Sequence, residues 1–207
     1  MTSLRTVVPI FAAICLIAGL LSSCAIVDQK IGLNYARQND SIVKHTGDIV
    51  VSYVEPAGLT KNALGEWIIG SLNNVYGVHQ ADLLSDRSPG EWISQALLHE
   101  LRQAGYSATQ VSILPASAER GILVTDINLL FLVNKGTVST ETKHELRFSV
   151  SLYRNSMKTK TFTVASRDDR TIPMIASKED KERIMLQSLQ DAMKQIIPDL
   201  IVLIDKK

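Results

Sequence analysis

Cysteine is scarce in this chain of 207 residues. The two cysteines, Cys15 and Cys24, both lie within the first two dozen residues. Because no thiol follows Cys24, the rest of the chain cannot form a disulfide, a cysteine zinc site or a thiolate nucleophile. A disulfide-stabilised fold and thiol chemistry are therefore excluded for the greater part of the protein.

An excess of charge of either sign is also lacking. The full chain has a net charge of +1, and beyond Arg5 it contains 21 basic and 21 acidic residues. Binding to a nucleic acid backbone needs clustered positive charge. The balance therefore argues against a nucleic acid partner.

The sequence has no hydrophobic run long enough to cross a membrane. The apolar run near the N-terminus has about 16 residues, whereas a transmembrane helix needs roughly 20. It follows Arg5 and ends at Leu21-Ser22-Ser23-Cys24, which resembles the lipobox of bacterial lipoprotein precursors. We therefore predict that residues 1–23 are a lipoprotein signal peptide, cleaved between Ser23 and Cys24. An uncleaved N-terminal anchor is the alternative.

The lipobox resemblance implies a covalent lipid anchor. Cys24 would carry a diacylglycerol on its sulfur and an N-acyl chain such as palmitate, and each buried methylene contributes about 0.8 kcal/mol to anchoring. In enteric-type bacteria an Asp after the cysteine signals retention in the inner membrane, but here the residue is Ala25. We expect an outer-membrane protein whose domain faces the periplasm, with no cofactor other than these acyl chains and with no metal.

The chain beyond Cys24 divides into a tether and a domain. Residues 24–47 are polar and mixed, and we interpret them as a lipidated tether with one short extended piece at 31–35. Residues 48–207 are predicted to form a single α+β periplasmic domain. It begins with a β-branched strand at 48–55, and residues 56–87, which show no sustained period, are predicted to form a long loop.

Helix signals flank a series of strand signals. Ser88-Pro89 begins a first helix that Gly105 ends. Three alternating stretches joined by short turns then predict an antiparallel meander, and they cover residues 121–133, 138–153 and 158–166.

The C-terminal part predicts a second helix and completes the fold. Ser177 and Asp180 resemble a capping box, and Pro198 is expected to end or kink the helix after Ile197. Residues 200–204 are expected to form a final turn or strand. The predicted fold class is α+β, with a mostly antiparallel sheet in the order strand, helix, antiparallel meander, helix, and two helices packed on one face.

No pattern in the sequence predicts a catalytic or metal site. The four histidines are isolated from one another, and neither a phosphate-binding glycine loop nor a Gly-x-Ser-x-Gly elbow is present; these histidines are His45, His79, His99 and His144. Carboxylates lie around the long loop and the first helix, and they are Glu66, Asp82, Asp86, Glu91 and Glu100. We predict that the protein is not an enzyme and has no catalytic residue, because most such carboxylates are ordinary surface groups.

The long loop is the main candidate for a functional surface. It contains an unusual density of large apolar side chains between glycines and asparagines, and the candidate partner-contact residues are Trp67, Ile68, Ile69, Leu72 and Tyr76. An exposed apolar patch is typical of contact with a protein or a lipid. The alternative is that the stretch folds back as an additional hairpin over the core.

These pieces together resemble the YajG-like outer-membrane lipoproteins of Gram-negative bacteria. The resemblance rests on the lipobox, the Ile31–Tyr35 segment, the first strand, the helix that runs into Gly105-Tyr106, the meander and the C-terminal helix. The stretch 67–77 is longer than the resemblance leads us to expect. The family has no established activity, so the resemblance implies location and fold more than a specific role.

Three functional hypotheses follow from the sequence. The first is a non-enzymatic interaction module, anchored to the membrane by its lipid, that contacts an envelope protein. The second is a periplasmic protein that binds a lipid, a glycan or another small ligand between its sheet and its helices. The third, which the composition favours least, is an enzyme with an unusual carboxylate site that includes Glu100.

Overall fold

The computed structural model describes residues 27–36, 45–136, 138–173 and 176–206. Eight strands form one sheet, and two helices pack against it. The strands are β1 (Gln29–Lys30), β2 (Asp48–Tyr53), β3 (Trp67–Asn74), β4 (His79–Ser85), β5 (Ser107–Gln110), β6 (Arg120–Lys135), β7 (Ser139–Arg154) and β8 (Met157–Pro173). The helices are α1 (Pro89–Gln103) and α2 (Lys178–Asp205).

Strand β6 organises the sheet because it is shared by two sets of neighbours. Its first half pairs in parallel with β2, whereas its second half pairs in parallel with β3. The register with β7 shifts between Thr125 and Asn128, and Asp126 between them has a φ of 52°. This β-bulge divides β6 into the two halves that serve different neighbours.

The sheet is mixed, and the predicted mostly antiparallel sheet is wrong. Four of the seven strand pairings are parallel: β1 with β4, β2 with β5, β2 with β6, and β3 with β6. One cause is that α1 returns the chain across the sheet before β5, so β5 runs in the same direction as β2. Antiparallel pairing occurs between β3 and β4 and in the β6–β7–β8 meander, where short turns join the strands.

The stretch 56–87 is not a long loop. It contains β3 and β4, which form an antiparallel hairpin. A hairpin was the alternative to a long loop in the sequence analysis. Gly70 lies where β3 runs beside β6, so close that a Cβ there would lie 2.1 Å from the Phe131 carbonyl oxygen. The glycine therefore permits close strand contact.

Both helices begin at the residues that the sequence indicates. Ser88 Oγ accepts a hydrogen bond from the Glu91 N–H at 2.9 Å, and Ser177 forms a capping box with Asp180. Helix α2 does not end near Pro198, however, but continues to Asp205. The continuation is stabilised because Leu200 and Ile204 are buried in the core, so the expected final turn or strand at 200–204 is helical.

One hydrophobic core joins the sheet to the helices. The inward side chains of β6 and β7 pack with the apolar stripes of α1 and α2, and Trp92, Phe131 and Phe148 are among its largest fully buried members. Within the described part of the chain, no helix is both long and apolar enough to cross a membrane.

Candidate functional site

The N-terminal segment, residues 27–36, is built into the fold. Its short strand β1 adds to the edge of β4 in parallel, with Gln29 opposite Leu83. Ile31 and Leu33 are buried in the core. The alternation of residues 31–35 thus places two apolar side chains inside and leaves the peptide groups between the two helices.

Side chains from both helices, and from the residues just before α1, bind the backbone of this segment. The Gly32 N–H donates to Glu182 Oε1 of α2 at 2.7 Å. Trp92 of α1 donates its indole N–H to the Asn34 carbonyl oxygen at 3.0 Å, and Arg87 donates to the Leu33 carbonyl oxygen at 2.9 Å. Gln190 of α2 donates to the Ala36 carbonyl oxygen. A peptide held at several successive residues cannot slide relative to the helices.

A buried lysine fixes the start of the same segment. Lys181 Nζ donates to Gln29 Oε1 at 2.9 Å, and to the carbonyl oxygens of Ala176 and Ser177 at 2.7 and 3.2 Å. Burial, followed by repulsion from Lys135, lowers the pKa of Lys181, while Asp180 and Glu179 act in the opposite direction. Three oxygen acceptors satisfy the ammonium group, so β1 is attached to the first turn of α2.

Residues 28–36 belong to the stretch 24–47 that the sequence predicts to be a lipidated tether. These residues are part of the packed structure, because the polar chain around Ile31 and Leu33 satisfies its hydrogen bonds with helix side chains rather than with water. Ser23, Cys24 and Ala25, on which the predictions of cleavage, lipid attachment and sorting depend, lie outside the described residues.

The five predicted partner-contact residues are separated by the β3–β4 hairpin. Ile69 and Leu72 are buried in the core, so neither can contribute to an exposed contact surface. Trp67 and Ile68 are half-buried, and Lys61 Nζ lies 4.5 Å from the centroid of the Trp67 ring. Tyr76 alone among the five is exposed, with 85% of its surface accessible.

Tyr76 lies in an ordered turn. The Asn74 side-chain oxygen accepts hydrogen bonds from the N–H groups of Tyr76 at 2.9 Å and Val78 at 3.0 Å. Gly77 has a φ of 76°, a conformation that suits glycine. Val75 and Val78, which flank the tyrosine and glycine, are also exposed.

A further exposed apolar residue lies in the neighbouring turn and was missed by sequence reasoning. Asn74 pairs with Lys135 at the ends of β3 and β6, and Asn73 Nδ2 donates to Asn134 Oδ1 at 3.1 Å. The β3–β4 and β6–β7 turns therefore leave the sheet side by side, and the second one exposes Val138. A valine directly after Gly136-Thr137 was the available signal. We refer to Val75, Tyr76, Val78 and Val138 as the turn end.

The carboxylates considered for chemistry have structural partners. Glu66 lies 3.0 Å from Lys30 Nζ, and the Asn62 side chain, followed by Lys30, lowers the pKa of Glu66. Glu91 forms an ion pair with Arg87 at 3.5 Å. Glu100 is buried and accepts a hydrogen bond from the Tyr35 hydroxyl, which ties α1 to the N-terminal segment. In the part of the chain that the structure describes, no group of three or more His, Cys, Asp or Glu residues could hold a metal ion.

Two histidines have defined structural environments. His45 stacks on Tyr106, and Asp205 binds both, with His45 Nδ1 and the Tyr106 hydroxyl each 2.7 Å from a carboxylate oxygen. The hydrogen bond from Tyr106 lowers the pKa of Asp205, and burial together with that carboxylate raises the pKa of Tyr106. This cluster fixes the end of α2 next to the chain that enters β2.

His144 is the second histidine with a defined environment, and it is buried beside Phe131. Neither of its ring nitrogens has a hydrogen-bond partner. Burial lowers its pKa to about 4, although the Asp168 carboxylate acts in the opposite direction. His144 is therefore neutral near pH 7 and contributes to packing.

The surface cleft beside the N-terminal segment is polar. It has a volume of about 450 Å³ and is lined by Tyr35, Arg87, Glu91, Gln95, His99 and Arg102. Several of these groups already bind one another or the neighbouring backbone, as Arg102 does to the Ala108 carbonyl oxygen at 2.8 Å. The cleft lacks the apolar lining that is typical of small-molecule sites.

Comparison with known proteins identifies one matching family and several solved structures of low similarity. A family model described as an uncharacterized lipoprotein matches residues 70–202, from β3 to the last turns of α2. No curated protein matches the chain.

Three solved structures are similar in part. A protein of Xanthomonas campestris from the family DUF330 has a TM-score of 0.46 and 10% identity over 82% of this chain and 92% of its own. A putative neuraminyllactose-binding hemagglutinin homolog from Helicobacter pylori has a TM-score of 0.41 and 13% identity over 81% and 92%. The rare lipoprotein B of Shewanella oneidensis has a TM-score of 0.34 and 10% identity over 65% and 97%. At TM-scores below 0.5 we draw no functional conclusion from them.

Proposed function

Because this chain belongs to the family of uncharacterised lipoproteins, the YajG family that the sequence resembles, we propose that it is an outer-membrane lipoprotein acting as a non-enzymatic interaction module. Acyl chains on Cys24 anchor it to the membrane, and the domain faces the periplasm. Its partners are the membrane and a second envelope protein. The lipobox at 21–24 and the residue Ala25 support this cellular location.

The observation that carries the interaction role is the open edge of β8. Among the described strands, β8 pairs only with β7, and it does so along 17 residues. Residues 161–166 in its middle carry no charged side chain, whereas Lys160 and Arg167 flank them. Unpaired strand edges are templates for another strand, so a partner can bind by adding a strand to β8.

The ligand-binding alternative is less well supported. It requires space between the sheet and the helices, but the described side chains at that interface, such as Leu97, Phe148 and Leu189, are fully buried in one packed core. The carboxylate-enzyme hypothesis is weakened in a similar way, because Glu100 holds Tyr35 of the N-terminal segment.

Crosslinking from β8 tests the interaction role. A photoreactive amino acid replaces Thr163, which is exposed in β8, and the matched control replaces Val202, which is exposed on α2. We expect a discrete crosslinked envelope protein from position 163 in intact cells and none from position 202. Equal crosslinking from both positions, or none from either, would show that the β8 edge binds no partner.

Cell fractionation tests the anchor. Cys24→Ser should abolish labelling with radioactive palmitate and processing, whereas Cys15→Ser, in the predicted signal peptide, should leave both unchanged. Ala25→Asp should move the lipidated protein to the inner membrane. If Cys24→Ser is still trimmed and sediments with the outer membrane as the parent does, the proposed anchor is wrong.

A further inference from the structure

Exposed apolar side chains concentrate at one end of the molecule. The four residues of the turn end lie in two adjacent turns, and Tyr76 and Val138 expose 85% and 83% of their surfaces. All four side chains lie outside the hydrophobic core. Clustered exposed apolar groups of this kind mark a binding surface.

The described chain leads from β1 toward the same end. Strand β1 is parallel to β4, so the chain upstream of Gln29 leads back toward His79 and the β3–β4 turn. Asp28 Oδ1 accepts a hydrogen bond from the Asp82 N–H at 2.8 Å, which fixes the level at which the chain leaves the sheet. Val27, just upstream, is exposed as well.

The link between the anchor and the fold is short. Cys24 precedes Asp28 by four residues, which span at most about 14 Å when fully extended. Counting back along β4, Val78 also precedes Asp82 by four residues. The acyl chains therefore enter the bilayer within reach of the level of Tyr76. Because the helices hold residues 28–36, this short link cannot be lengthened without breaking the packed structure.

We propose that the turn end rests on the bilayer into which the acyl chains of Cys24 insert. Tyr76 lies at the level of the headgroups, where tyrosine is favoured because its ring is apolar and its hydroxyl is polar. The three valines contact the lipid beside it. The opposite end, with the β7–β8 turn, points into the periplasm. This inference rests on the proposed lipidation of Cys24.

Depth-dependent fluorescence quenching tests the orientation. Single cysteines replace Tyr76 and Val138 at the turn end, and the matched controls replace Ile113 and Met157, which are exposed to 83% and 72% at the opposite end. Each lipidated full-length protein is labelled with an environment-sensitive fluorophore on the new thiol. It is then reconstituted in vesicles of equal parts phosphatidylethanolamine and phosphatidylglycerol that contain a lipid nitroxide near the headgroup.

We expect quenching several-fold stronger at positions 76 and 138 than at 113 and 157, with a blue-shifted emission at the first two. Flotation of the vesicles is measured on the same samples. Flotation with equally weak quenching at all four positions would overturn the orientation but leave the anchor intact. Failure to float would overturn the anchor and the orientation together.

Discussion

At the residue scale, the fold disfavours protonation of the buried His144. Burial beside Phe131 lowers its pKa from 6.5 to about 4. The unfolded chain therefore binds a proton at a higher pH than the folded chain does, and the stability contributed by the neutral ring is complete only above pH 6.5.

We predict that the free energy of unfolding falls as the pH decreases from about 6.5 to about 4, by roughly 3 kcal/mol from this group. His144→Leu should remove that part of the decrease, whereas His79→Gln, at an exposed histidine, should leave it unchanged. Urea unfolding at a series of pH values measures both. The same pH dependence in His144→Leu as in the parent would contradict the assignment.

The residue scale also shows what the sequence could and could not predict about the site. Tyr76, one of the five residues predicted from the density of apolar side chains, is exposed in the structure, and its contact with a partner stays a prediction. Ile69 and Leu72 were assigned to the same surface in error, since the register of β3 with β4 shifts after Ile68 and again after Leu72. A local pattern cannot show which side chains a bulge turns inward.

At the element scale, the N-terminal segment, which contains β1, is packed into the fold rather than being a linker. Its two inward side chains, Ile31 and Leu33, are as buried as those of the central strands. The polar residues around them suggested a tether. The side chains that bind the backbone of this segment, Glu182 and Gln190, lie about 150 residues away in the sequence. Only the folded chain brings these groups together.

Leu33→Ala should lower the free energy of unfolding by about 3 kcal/mol, because it leaves a cavity between the helices and the sheet. The same substitution at Leu64, which is exposed, is the matched control and should change stability by less than about 0.5 kcal/mol. Urea unfolding followed by the fluorescence of Trp92, which binds the next carbonyl group, reports on both. Equal stability of the two variants would show that the segment is not part of the core.

The close approach of β3 to β6 gives a second prediction for this scale. Gly70→Ala places a Cβ 2.1 Å from the Phe131 carbonyl oxygen, so we expect a loss of about 3 kcal/mol as the strands separate. Gly58→Ala is the control, because no atom lies within 4 Å of the added Cβ, and its effect should be below about 1 kcal/mol. Thermal denaturation compares the two, and equal melting temperatures would contradict the close approach of the two strands.

Elements with local signals were predicted well, and pairings between distant elements were not. The caps of α1 and α2 and the alternation of the meander strands depend on neighbouring residues, which the sequence displays directly. The parallel pairing of β6 with β2 and β3 depends on contacts between residues 60 or more positions apart. Such contacts leave no pattern in one sequence, so the sheet was predicted to be mostly antiparallel.

At the scale of the whole molecule, the sheet and its connections give the protein two different ends. One end presents the turn end and the start of the N-terminal segment, whereas the other presents the β7–β8 turn. In the proposed orientation, the short link at the first end holds β8 upright relative to the membrane, with its open edge available to a partner. The proposed anchor, orientation and partner contact therefore all depend on Cys24.

The mass of the N-terminal tryptic peptide tests that dependence most directly. In protein purified from membranes, we predict a peptide that begins at Cys24 and ends at Lys30, with a diacylglycerol on the sulfur and an acyl chain on the α-amino group. An unmodified Cys24 within a longer peptide that extends back toward Arg5 would contradict it.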